Sequence, residues 1–379
     1  MDANPTSYGF GIADAHAVVS TRDVEAVVAF CRGYARKFPV LGVTTMGSDI
    51  PDVLAKVCAA LDVPAVSERS AALATHKYSM KNRLRECNVP VPWFRYVANV
   101  AELVGCARAR DHQIVIKPVD SSGSRGVFFP RPEDDLEVLF SQSRAAARCG
   151  SVIVEEYVPG VQVSTESIIW DDRSWTTGMA RRNYDMLECT RPWIVENGGE
   201  QPGLFSREAQ ERCAALTVRA ARALGLQRGV VKGDLVLHPD RGPLVIEVAL
   251  RLSGGHFADA LVPIATGVNI IDAVVDIAVG DAPQDEAFEP THERVGVLRY
   301  FFPKPGTLRE IRGLGGALDC AGLRLLETYL ACGAVVRKPR HHGMRAGAFL
   351  VEGRDHVEAL ARAAEVANLV DFVTEHGNE

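Results

Sequence analysis

Residues 230–252 read VVKGDLVLHPDRGPLVIEVALRL, two apolar-rich runs flanking His238-Pro239-Asp240-Arg241-Gly242-Pro243. That connector has turn-forming composition, so the stretch is predicted to be a β-hairpin. Centred on Asp240-Arg241, the hairpin sets Asp234 opposite Glu247, Lys232 opposite Ala249 and Val230 opposite Arg251. Side chains alternate across a strand, so Val231, Leu235, Leu237, Leu244, Ile246, Val248 and Leu250 are expected on one apolar face. The other face then carries Lys, Asp, Glu and Arg. Directly opposed carboxylates have Cβ atoms roughly 5 Å apart, and like charges so placed destabilise a sheet. Two arrangements make the pair tolerable. Magnesium, a hard cation that commonly bridges carboxylates to phosphates, can sit between the acids; alternatively Lys232 and Arg251 pair with them on a solvated face. The hairpin alone leaves both open.

Outward from the hairpin, residues 14–75 alternate helix-like and strand-like stretches (VEAVVAFCRGYARK, VLGVTTM, DVLAKVCAALDV, PAVS), a rhythm that predicts a small parallel sheet. Residues 76–87 read as a helix stopped by Val-Pro-Val-Pro at 89–92. From 93 to 160, strands surround a Gly/Ser loop, with a helix near 133–148. Strands are expected at 164–170 and 175–182, and helices at 206–224 and 268–279. The last stretch, with a helix at 355–370, reads as a separate α+β unit. The expected units are 1–75, 76–285 with a flap subdomain at about 93–160, and 286–379.

The 379 residues have 47% hydrophobic and 24% charged composition, which excludes disordered and collagenous classes. A net charge of −6 argues against nucleic-acid binding, which needs a basic face. No apolar run reaches the ~18–20 residues of a membrane span, and the opening MDANPTSYGFG lacks the pattern of a secretory signal. The nine cysteines form no CxxC pair, which suits reduced thiols in a cytoplasmic protein and opposes a structural zinc site. Of 42 basic residues only eight are lysine. Lysines kept inside apolar runs, Lys117 in IVIK and Lys232 in VVKGDLVL, are candidates for phosphate contacts, where ammonium and guanidinium are not interchangeable.

In order along the chain, HK (76–77), IVIKP (114–118), SSGSRG (121–126), IVEEYVPGVQVSTE (153–166), VKGDLVL (231–237) and IEVALRLSGG (246–255) resemble the ATP-grasp carboxylate–amine ligases. The texture is nearest the biotin carboxylase, carbamoyl-phosphate synthetase and L-amino acid ligase branch. The resemblance spans about 10–379 and implies an ATP-grasp fold of α/β and α+β character. It adds a truncated Rossmann-like N-terminal domain and an α+β C-terminal unit. Carried over by position, Lys77 and Lys117 match lysines that contact ATP phosphates. Ser121, Ser122, Gly123, Ser124, Arg125 and Gly126 match the flap over those phosphates. Glu155, Glu156, Tyr157 and Val158 match the strand that reads adenine, with Glu155 taking its amino group. Asp234 and Glu247 match the magnesium ligands, and Arg251 matches the arginine that stabilises the acyl phosphate. Three positions depart from the pattern: Gln162 stands where a ribose-contacting Glu is frequent, Asp234 is commonly Glu, and Ala249 replaces a metal-binding Asn.

The resemblance implies that ATP phosphorylates a carboxylate and that an amine then attacks the acyl phosphate, with ADP and phosphate released. Lys232 either orients the substrate carboxylate or γ-phosphate, or forms a salt bridge. Arg181, Arg182 and Glu196 offer substrate handles, and Gly254 and Gly255 offer backbone N–H groups to an anion. Two alternatives belong to other classes: a bicarbonate-using carboxylase or carbamoyl-phosphate enzyme, and a non-catalytic nucleotide-binding module. The opening residues read as if a family βα unit had been left out, which exposes a sheet edge and favours a homodimer.

Overall fold

The computed structural model describes residues 1–375. Four helices come first: α1 (Val24–Ala35), α2 (Pro51–Leu61), α3 (Glu68–Thr75) and α4 (Lys77–Glu86). Asp23, Ser67 and His76 cap α1, α3 and α4 through side-chain acceptors, as unpaired first-turn N–H groups require. The parallel sheet expected over 14–75 does not form. Among the described residues before 94, the sole strand-like pairing is an isolated parallel bridge between Asp2 and Val18. Parallel ladders occur with both faces covered. Leu41 in the expected strand VLGVTTM is instead 65% exposed, and PAVS begins with Pro64, which has no N–H to give.

The flap subdomain consists of β1 (Phe94–Val97), α5 (Val100–Ala109), β2 (Ile114–Pro118), α6 (Leu136–Ala146) and β3 (Val152–Glu156). Its antiparallel sheet has the order β1-β3-β2, with α5 and α6 burying Leu103, Leu139 and Phe140 against Ile114, Ile116 and Val154. Next come β4 (Val161–Trp170), β5 (Arg173–Arg182), α7 (Leu187–Thr190), β6 (Gly199–Gln201), α8 (Arg207–Ala223), β7 (Arg228–His238) and β8 (Gly242–Ala249). Helices α9 (Val262–Thr266) and α10 (Ile270–Val279) follow a π-helical turn at Phe257–Leu261. The rest is β9 (Val295–Phe301), β10 (Gly306–Arg312), α11 (Leu314–Leu318), β11 (Leu323–Thr328), β12 (Val335–Val336), β13 (Gly347–Gly353), α12 (His356–Leu369) and β14 (Asp371–Glu375).

An eight-stranded sheet runs β11-β13-β9-β6-β5-β4-β7-β8, every neighbouring pair antiparallel. The C-terminal unit is therefore continuous with the central one: β9 pairs with β6 through Gly199–Leu298 and Glu200–Val297. Of the C-terminal strands, only β10, β12 and β14 form a sheet of their own.

The hairpin is β7–β8. Asp234 faces Glu247 and Lys232 faces Ala249 as expected, but a bulge follows, and Leu235 pairs with Val245 and His238 with Gly242. The connection thus has three residues, Pro239 to Arg241, and the strand resumes at Gly242, which has φ +72°. The bulge makes Ile246 the unpaired residue and reverses the parity of β8 beyond it. Val245 joins Val231, Leu235, Val248 and Leu250 in the core under α4 and α8. Leu244 and Ile246, expected in that core, cross to the other face and gather with Val158 and Val236.

Candidate active site

A cavity of about 540 Å³ lies between the flap sheet and the charged face of the large sheet. At one end stand two lysines delivered by different elements. Lys77 opens α4, and its backbone N–H is anchored on the Val119 carbonyl at 2.7 Å. Its Nζ donates to the Ser121 carbonyl (2.8 Å) and to Glu247 Oε1 (2.9 Å). Burial pulls this ammonium toward neutrality, but Glu247 outweighs it and holds the pKa above the ordinary lysine value. Lys117, near the end of β2, donates to Glu155 Oε2 at 2.8 Å. One turn after Lys77, on the same helix face, Lys81 reaches the same oxygen at 3.2 Å. Sequence reading passed over Lys81, although its four-residue spacing from Lys77 was the available signal.

These contacts correct the role expected of Glu155. Its carboxylate is committed to two lysines and is buried with them, and burial is overcome mainly by Lys117 and then Lys81, which keep it ionised. Glu156 accepts the Trp93 N–H and pairs with Arg241 and Arg110, which ties the flap sheet to the hairpin turn. Beside it, Val115, Val158, Val236 and Ile246 form an apolar wall, and Gln162 lines the same end. The wall exists because the β8 bulge turned Ile246 toward the cavity.

Ser121, Ser122, Gly123 and Ser124 line the cavity, whereas Arg125 is exposed and Gly126 lies behind the loop. The Arg125 guanidinium donates to Ser122 Oγ at 2.9 Å. Gly126 has φ +70°, and a Cβ there would stand 2.6 Å from the Ala146 methyl, so the turn requires glycine. The loop is bound to the C-terminal unit: the His342 N–H donates to the Gly123 carbonyl (3.1 Å), and Ser124 Oγ lies 3.0 Å from His342 Nε2. Burial holds the His342 imidazole neutral, with a pKa of about 3.

On the sheet face, Asp234 is enclosed. Its Oδ1 accepts from Ser164 Oγ (2.8 Å) and faces Arg182 (3.3 Å), while Oδ2 accepts from Lys232 (2.5 Å). Burial would raise this carboxyl, but Lys232 and then Arg182 hold it well below the carboxylate range. The opposed acids are thus neutralised by Lys232 and Arg182 on one side and Lys77 on the other. Arg251, the cation expected to share in this pairing, turns to Asp49 Oδ1 at 3.3 Å instead. Among the described residues, no group of three or more His, Cys, Asp or Glu side chains is placed to hold a metal ion. Glu247 fits magnesium: among the described residues Oε2 has no hydrogen-bond or ion-pair partner, and the side chain is 29% exposed. Asp234 does not fit as it stands, because both of its oxygens are engaged.

The far end is built from Arg182, Tyr184, Glu196, Tyr300, His342 and Arg345. Glu196 accepts from Arg182 at 2.7 Å and lies 3.5 Å from Arg345. Burial would raise it, but Arg182 and then Arg345 hold it at a pKa of about 2. Arg345 lies over the Tyr300 ring at 3.5 Å from its centroid, and the Tyr300 hydroxyl donates to the Gly255 carbonyl. Gly254 and Gly255 border the cavity as expected. Arg181 does not: it is exposed on the opposite face of β5, and its neighbour Arg182 enters the site. A strand puts one of two adjacent arginines on each face, and only register decides which. Pairing of Ala180 with Ser164, itself opposite Asp234, selects the even-numbered residues. Glu166, quoted in the sequence motif but given no role, is fully buried. Both its oxygens accept the Ser253 N–H at 3.1 Å, which fixes the glycine turn; burial pushes its pKa up to about 7.

Residues 74–255 match the ATP-grasp domain family, and residues 299–375 match L-amino acid ligase C-terminal domain 2. An uncharacterised protein of Sinorhizobium fredii, y4rH, is 26% identical over 343 residues, covering 89% of this chain and 69% of its own length. A D-alanine–D-alanine ligase from Desulforudis audaxviator is 29% identical over 183 residues, 44% of this chain; the chain spans 56% of that relative's length. The crystal structure of L-amino acid ligase from Bacillus licheniformis superposes with a TM-score of 0.79 at 20% identity, covering 94% of this chain and 86% of the other. The two domain matches and the shared fold place an ATP-grasp domain at residues 74–255 of this chain, followed by an L-amino acid ligase C-terminal domain at residues 299–375.

Proposed function

We propose that this cleft joins an amino acid, through its carboxylate, to an amine supplied by a second amino acid. In this reading ATP lies with its base on the Val158–Val236–Ile246 wall and its phosphates toward Lys77 and Lys117. The observation that carries the reading is that one cavity holds both Lys77 and Lys117 and the Arg182–Glu196–Arg345 cluster, with Asp234 bound to Arg182 and Lys232 on the same sheet face. A buried lysine is a point charge for phosphate. At the other end, the Glu196 carboxylate suits an ammonium, and the arginines suit a carboxylate. Ala180, Phe257, Leu261 and Leu298 supply an apolar wall for a side chain.

Phosphoryl and acyl transfer need positioning and charge more than covalent help from the protein. Arg251 faces the charge that develops at the reacting carboxyl, and the loop at 121–126 excludes water. Magnesium, when bound through Glu247, neutralises phosphate charge. Among the described residues, no helix is long and apolar enough to cross a membrane; we place the reaction in the cytoplasm. The reading includes a homodimer through the N-terminal unit, where Tyr8 and Ile12 are 85% and 74% exposed, and light scattering tests that part. The main test is phosphate release from ATP and Mg²⁺ across pairs of amino acids. Release that requires two amino acids supports ligation; bicarbonate-dependent release contradicts it.

A further inference from the structure

We propose that the Lys232 ammonium supplies the positive charge that a second divalent cation would bring to this cleft. The chain then loads ATP with a single magnesium ion, held from the protein side by Glu247 alone. The inference rests on the cleft being the nucleotide site.

Alternation fixes what each strand of the hairpin presents to the cavity. From β7 these are Lys232, Asp234 and Val236, and from β8 with its extension Glu247, Ala249, Arg251 and Ser253, besides the bulge residue Ile246. The hairpin's carboxylate donors for a hard cation are therefore Asp234 and Glu247, and Asp49, which also lines the cavity, is paired with Arg251. Magnesium demands near-octahedral oxygen geometry and keeps water and phosphate ligands when carboxylates are few. One open oxygen on Glu247 suits one such ion. A second ion would need Asp234, whose oxygens are taken by Ser164, Lys232 and Arg182. Freeing it would leave the Lys232 ammonium, 17% exposed, without its carboxylate partner and Arg182 with Glu196 alone, both beside a divalent ion. Buried charges left without partners are strongly unfavourable.

The cross-strand pairing completes the argument. Lys232 stands directly opposite Ala249, whose methyl side chain offers no oxygen. At that point of the cleft the chain has a fixed cation where a metal ion would require a donor. A lysine ammonium is compact and donates three hydrogen bonds, which suits phosphate oxygens. Asp234 then orients Lys232 and is not itself a ligand.

The test counts ions directly. Mn²⁺ is titrated into the full-length protein saturated with a non-hydrolysable ATP analogue, and bound manganese is read by electron paramagnetic resonance, with nucleotide occupancy measured by calorimetry on the same samples. The wild-type protein is expected to bind one Mn²⁺ per chain. The double variant Lys232→Ala, Ala249→Asn removes the ammonium and adds an oxygen donor; it is expected to bind two, with the line broadening of neighbouring ions. Two ions in the wild type would overturn the inference, and the wild-type count stands even if the double variant fails to fold. A folded, nucleotide-loaded double variant that still binds one ion would overturn the role of Lys232. Absence of nucleotide binding would instead sink the reading of the cleft beneath it, and calorimetry separates the two failures.

Discussion

Replacing Lys81 with Met should stabilise the ligand-free protein and weaken its hold on ATP. Lys81, Lys117 and Glu155 are 1%, 8% and 1% exposed, so two ammonium groups share one buried carboxylate and leave an uncompensated positive charge. Lys81 is the poorer partner. It lies 3.2 Å from Glu155, and its Nζ makes no well-directed hydrogen bond. Burial, reinforced by Lys117 and only partly offset by Glu155, lowers its pKa from 10.5 to about 8. At about 1.4 kcal/mol per pH unit, the charged form is penalised by roughly 3 kcal/mol in the folded state. Methionine fills the same space without charge, so a gain of about 1–3 kcal/mol is expected at pH 7. In melting temperature that is several degrees, at ~2–4 °C per kcal/mol for 150–250 residues. Because the folded value lies below the unfolded one, wild-type stability rises with pH between about 8 and 10.5. The advantage of the variant should shrink over the same window. Meanwhile Glu155 holds Lys117 without competition, and affinity for ATP should fall about tenfold, or ~1.4 kcal/mol. Calorimetric melts across pH, with nucleotide titrations, measure both. A variant that is less stable than wild type at pH 7 would refute the reasoning, because the ammonium would then be a net contributor to the fold.

The remaining sites give predictions of different kinds. Glu196→Gln should cost about 2–3 kcal/mol at pH 7; since the folded pKa is about 2 against an ordinary 4.5, the deficit should vanish as the pH falls through that interval, as melts across acidic pH would show. Ser124→Ala and His342→Ala remove the tie between the 121–126 loop and the C-terminal unit. Each should raise the ratio of phosphate released to amide formed, and neutral His342 makes that ratio insensitive to pH around neutrality; an unchanged ratio would contradict the tie. Arg251→Ala should leave ATP affinity nearly intact and cut turnover roughly a hundred-fold, as expected for a charge aimed at the transition state. A change confined to KM would assign Arg251 to substrate binding alone.

Much of the site was legible because a strand's two-residue period converts a sequence into faces. The opposition of Asp234 and Glu247, and of Lys232 and Ala249, came from turn chemistry and alternation. The bulge did not, since nothing in GPLVIEV marks Ile246 as the extra residue. The same limit decided Arg181 against Arg182, whose faces depend on register with β4. Asp49, Tyr300, His342 and Arg345 were out of reach for another reason. They enter the cavity from the N- and C-terminal units, and only tertiary packing brings them to Arg251, Gly255, Ser124 and Glu196. The N-terminal parallel sheet failed because local periodicity says nothing about whether both faces of a strand will be covered.

In the proposed reaction, one amino-acid carboxylate is phosphorylated in this cleft before an amine attacks it. An amino acid labelled with ¹⁸O in its carboxylate, turned over with ATP, Mg²⁺ and a second amino acid, tests this directly when the released phosphate is analysed by mass spectrometry. The account predicts one ¹⁸O transferred to phosphate for each amide formed, with ADP as the nucleotide product. Unlabelled phosphate, or AMP in place of ADP, would contradict it.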